Sequence, residues 1–117
     1  MKLDIARVFA AIAVLCLAGG SVATAEGQTV VRTFGIGREP CASFLSAPQN
    51  LFQGSVWMLG YWTALNVVGA KESHMVGEHA QAEEIVADVK KACAAEPKTT
   101  LYGAIDHVYE RYQKEGK

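Results

Sequence analysis

The stretch Gly54–Gly69, GSVWMLGYWTALNVVG, holds two Trp, one Tyr, one Met and five larger aliphatic residues, and no charge. Trp57, Tyr61, Ala64, Leu65 and Val68 recur at helical spacing, while Val56, Met58, Leu59 and Trp62 fall around the other sides. A helix that is apolar nearly all round is a buried one, so the first reading is the central helix of a small core. The second reading is a partner surface, because Trp and Tyr are frequent interface anchors and exposed apolar patches mark interaction sites. A membrane span is rejected on length. Val56 to Val68 gives only about 20 Å of helix at ~1.5 Å per residue.

The neighbours of this stretch also read as helices. Pro40 suits the start of a short helix over CASFLSA, which Pro48 is expected to end. Ala70 to Gln81 is a polar connector. Beyond it Ala82, Ile85, Val86, Val89 and Cys93 form one apolar stripe, with acids early and lysines late, as the helix dipole favours. Thr99 or Thr100 can cap a last helix whose inner face is Leu101, Ala104, Ile105, Val108 and Tyr112. Asp106, Glu110, Arg111 and Lys114 are expected on its wet side, and the tail QKEGK is expected to fray. The fold class expected is all-α: a single-domain bundle of about four helices over residues 41–117. Residues 26–40 precede it as an irregular or extended arm.

The N-terminus reads as a signal peptide over residues 1–25. Lys2 and Arg7 make a basic start, Val8 to Ala18 is a short apolar run, and Ala23-Thr24-Ala25 is a small-x-small cleavage pattern. Its removal leaves 92 of the 117 residues, with nine bases and eleven acids for a net charge of −2. That balance lacks the concentrated basic face that nucleic acid requires. Two cysteines remain, Cys41 and Cys93, and an even count in an exported chain reads as a disulfide. Cys93 lies on an inward stripe, where Cys41 could meet it.

No catalytic machinery is legible. The mature cysteines are better used as a bridge, and no serine has a nucleophile-elbow context. His74, Glu78 and His79 in HMVGEH are spaced poorly for a metal site, with Gly77 between them. Glu84 and Asp88 read as a solvated helix face. No enzyme activity, metal or cofactor is expected.

CASFL, GYWTALN and EIVADVKKAC, followed by EPKTTLYGAIDHVY, together resemble the HdeA/HdeB-like family of small exported acid-stress proteins. The likeness spans Cys41 to about Tyr112. It implies a compact helical fold with Cys41 and Cys93 bridged, a periplasmic location and no cofactor. It also implies a dimer at neutral pH, and acid-driven opening that holds unfolding clients on apolar surface. Trp57, Tyr61 and Leu65 match the family's dimer- and client-related helix, and with Met58 and Trp62 they form the candidate partner surface. The frame is similar also to exported immunity proteins that neutralise amidases delivered by type VI secretion, although those carry more cysteines. The alternative function is therefore a binding module for a secreted toxin.

Overall fold

A computed structural model of the protein describes residues 32–69 and 75–117, which lie within one compact unit, Val31–Lys117. The expected signal peptide, His74 and part of the connector lie outside the described residues. Four α-helices follow a 3-10 turn at Gly35–Arg38: α1 (Cys41–Leu45), α2 (Pro48–Val68), α3 (Ala82–Ala95) and α4 (Leu101–Glu115). The class is all-α, as the sequence implies.

The entry to α2 differs from the sequence reading. The short helix stops before Pro48 as expected, α1 ending at Leu45, but Pro48 also opens a helix, in the first turn of a 21-residue α2. Proline fits there because its missing N–H would have had no helical partner. The α1–α2 corner is fixed by Asn50, whose Nδ2 donates to the Ser43 carbonyl at 2.8 Å and to Ser46 Oγ at 3.1 Å. Two turns are thereby added before Gly54, so length alone does not exclude a membrane span. Hydropathy does: no helix among the described residues is long and apolar enough to cross a membrane.

The phase of α2 also differs. Its buried residues are Gly54, Met58 and Trp62, while Trp57, Tyr61 and Leu65 are half-buried on the flanks. Gly54 sets this phase. A Cβ there would overlap the Phe44 ring, so the glycine lets α1 pack directly on the α2 backbone. Because α2 carries apolar groups on every side, its sequence contains no dominant face from which to read this orientation.

The other helices follow most of their sequence signals, although in the expected α3 stripe Ala82 is exposed and Val86 only half-buried. Gln81 and Glu84 make a capping box at the start of α3, with Gln81 N donating to Glu84 Oε2 at 3.0 Å. Ile85, Val89 and Cys93 are buried. Thr100 caps α4 by accepting from Gly103 N, and all five residues of its expected inner face are buried. The tail is held rather than frayed. Gly116 adopts the left-handed C-cap conformation, Lys117 N donates to the Tyr112 carbonyl, and Gly77 N donates to the Lys117 carbonyl.

Cys41 and Cys93 are bonded to each other and fully buried, which ties α1 to α3. The same corner has backbone pairing. Cys41 N donates to Thr99 O at 2.7 Å, Ala42 N to Pro97 O at 3.0 Å, and Leu101 N to Glu39 O at 2.9 Å. Just before α1, the 3-10 turn packs against α2 and α4, and residues 26–31 of the expected irregular or extended arm lie outside the described residues. Gly35 has a positive φ of 68°, and Gly37 is buried beneath the Trp57 indole.

Candidate functional site

The five residues grouped from the sequence as a partner surface are divided by the fold. Met58 is fully buried and Trp62 is 4% exposed, so neither belongs to the surface of the folded chain. Trp62 contacts the rings of Tyr109 and Tyr112 edge-on, at centroid distances of 5.0 and 5.3 Å. Its indole N–H donates to the Val76 carbonyl at 2.9 Å, which satisfies the polar end of a core aromatic. Trp57 stacks on Tyr61 at 5.1 Å, and both remain half-buried beside the 3-10 turn.

The surface of α2 is made by other residues. Phe52, Val56, Gly60, Thr63 and Val67 follow one another at steps of three or four, hence on one face, and all are exposed. Phe52 is 72% exposed, Val56 59% and Val67 71%. Ala64 and Val68 widen the strip. No charged residue occurs anywhere between Glu39 and Lys71. A solvated helix face ordinarily carries charge, so an uncharged outer face over five turns departs from the pattern of a helix meant only for water.

Gly60 sharpens this departure. A Cβ on Gly60 would meet nothing within 4 Å, and its φ is not positive. By contrast, Gly37 and Gly54 are required by the rings of Trp57 and Phe44, and Gly35, Gly77 and Gly116 by their backbone angles. Glycine inside a helix costs about 1 kcal/mol relative to alanine. No contact within the described chain offsets that cost at Gly60. The sequence reading missed Phe52 because it lies before the expected start of the helix. It missed the face as a whole because the helix was phased on Trp57 and Tyr61.

Two polar clusters join the helices. The Tyr61 hydroxyl donates to Asp106 Oδ1 at 2.8 Å, so Asp106 is half-buried rather than on a wet face. Burial raises the Asp106 carboxyl above its usual range; the Tyr61 hydrogen bond acts the other way, and Glu110 adds to the rise. The Tyr61 phenol is pushed up to about 12, first by burial and then by Asp106. Between α3 and α4, Asp88 Oδ2 accepts from Arg111 at 2.7 Å and from the Tyr112 hydroxyl at 3.0 Å. Burial, then Asp88, pushes the Tyr112 phenol up to about 12. Asp88 is thus a structural joint between helices, not one of a solvated pair with Glu84.

No family model, curated protein or solved structure matches this chain.

The two thiols of the described chain are consumed in the disulfide. Among the described residues no group of three His, Cys, Asp or Glu could hold a metal ion. A cleft beside the turn at 75–80, lined by His79, Glu84, Asp88, Lys91 and Lys117, mixes both signs of charge and selects neither. The outer face of α2 is the candidate functional site.

Proposed function

We propose that this protein is a non-enzymatic binding protein, an HdeA-like periplasmic chaperone that holds unfolding clients on apolar surface under acid stress. Residues 1–25 would act as the export signal. The observation that carries the reading is the uncharged strip Phe52–Val56–Gly60–Val67, left open by the other described residues. An unfolding client exposes apolar segments, and such a strip accepts them without desolvating any charge.

At neutral pH a second copy covers the strip. Pairing about a twofold axis places each face on itself, and an uncharged face does so without like-charge repulsion. Gly60 lies near the middle of α2, where two helix backbones could approach most closely. A single helix pair is a small interface beside the ~1,200–2,000 Å² of stable complexes, so the pairing is weak and dissociates on dilution.

Acid supplies a trigger through net charge. Without residues 1–25 the chain carries −2 at neutral pH; with every carboxylate protonated and three His charged it carries +12 from side chains. Self-repulsion then favours separation of copies and loosening of helices. Asp106 does not contribute to this trigger. Its raised pKa means that protonation favours the folded state.

The test is client light scattering at about pH 2–3, where acid-expanded states expose apolar surface. Suppressed client aggregation together with a gain in dye binding is the expected result. Undiminished scattering sinks the proposal.

One observation favours the second reading, a module that neutralises a secreted toxin. The strip is already exposed in the folded chain and needs no acid opening. A tight neutral-pH complex with a toxin encoded beside this gene would select that reading.

A further inference from the structure

We infer that α2 is a flap, hinged at the α1–α2 corner and latched at its far end by Asn66, so that its C-terminal half opens while the disulfide corner stays shut. The inference concerns how the chain opens and is independent of what it binds.

The two ends of α2 are held by different means. Near its start, the disulfide and three backbone hydrogen bonds tie α1 and Glu39 to α3 and the 97–101 turn. From Pro48 to Val68, among the described residues, the backbone of α2 bonds only to itself and to its two flanking residues, Ala47 and Gly69. Among the described residues beyond Gly69, its far half is joined to the rest through side chains.

Asn66 is the centre of that attachment. Its amide imitates a strand neighbour: Nδ2 donates to the Val76 carbonyl at 3.1 Å and Oδ1 accepts from Val76 N at 3.1 Å. The same Oδ1 accepts from the Tyr109 hydroxyl at 2.9 Å, which brings α4 into the cluster. Trp62 donates to the same Val76 carbonyl. Beyond Asn66, Val67 and Val68 are exposed, so the last turn of α2 adds little apolar packing. Opening here uncovers Trp62 and Leu65 while Cys41, Phe44, Cys93 and Leu101 stay packed. Such sub-global openings cost less than complete unfolding.

The test is native-state hydrogen exchange on the oxidised protein, comparing wild type with Asn66→Ala and Tyr109→Phe. Loss of the Asn66 amide should speed exchange at Trp62–Val68 and Val76–Ala80 by about tenfold or more, and loss of the Tyr109 hydroxyl by roughly threefold. Amides at Val89–Cys93 and Ala104–Val108 should change several-fold less. Alanine is the better helix former, so without a latch Asn66→Ala would slow exchange in α2. Equal acceleration across α2, α3 and α4, or none in α2, overturns the inference. Tyr109→Phe keeps the ring against Trp62 and decides the matter alone if Asn66→Ala fails to fold.

Discussion

The Trp57 indole occupies the space into which a side chain on Gly37 would project, so the ring packs on the 3-10 turn this closely because residue 37 has no Cβ. Gly54 stands in the same relation to Phe44. Either glycine replaced by alanine must displace a ring or the backbone, which costs about 1–3 kcal/mol. Gly60→Ala is the control. It meets no neighbour among the described residues and should raise the stability of an isolated copy by about 0.5–1 kcal/mol. Denaturant midpoints of the three variants at high dilution should separate in that order, two lowered and one raised.

The buried disulfide spans 52 residues of sequence and holds α1 against α3. Replacing both Cys41 and Cys93 by Ser should lower stability by about 2–4 kcal/mol. Because the bond is fully buried, reductant should act slowly on the folded chain and quickly after denaturant is added. Thiol labelling with and without denaturant measures this.

High pH should unfold the protein through two phenols. Tyr61 and Tyr112 titrate near 12 in the folded chain, against about 10 when unfolded. A raised folded value means that their stabilisation is fully present below pH 10 and is lost as pH rises through about 12. The double variant Tyr61→Phe, Tyr112→Phe should show a flatter stability profile over that window, followed by circular dichroism.

Asp106 has the opposite practical consequence to a salt-bridged carboxylate. Burial raises its pKa, so its ionised form costs stability at neutral pH, and that cost disappears as pH falls through the folded value. Asp106→Asn keeps an acceptor for the Tyr61 hydroxyl without the charge. It should be neutral or stabilising at pH 7 and indistinguishable from wild type in acid, by thermal melts at the two pH values.

The fold was legible wherever polar and apolar residues segregate. In α3 and α4 charged residues mark the wet side, so the inner stripes, the Thr100 cap and the disulfide-bearing Cys93 can be read from spacing. Between Glu39 and Lys71 there is no charge to set a phase. There the orientation of α2 was decided by Gly54 against Phe44 and by Trp62 against Val76, contacts between residues distant in sequence or on different helices. Pro48 was ambiguous for a related reason: proline both stops one helix and opens the next. The exposed strip was hidden by the same lack of charge. Its clearest sequence trace is Gly60, a helix glycine whose purpose shows only once every neighbour is known. Asn66 had a trace too, as the one amide in the last three turns of an apolar helix.

That the outer face of α2 is a binding surface is tested most directly by sedimentation equilibrium at neutral pH on wild type and Val56→Lys. Val56 is 59% exposed, so the lysine should leave the fold intact while placing charge in the middle of the strip. Wild type should associate reversibly with rising concentration, and Val56→Lys should remain a monomer throughout. A wild-type chain that stays monomeric over the whole range, or a lysine variant that associates equally well, would contradict the assignment.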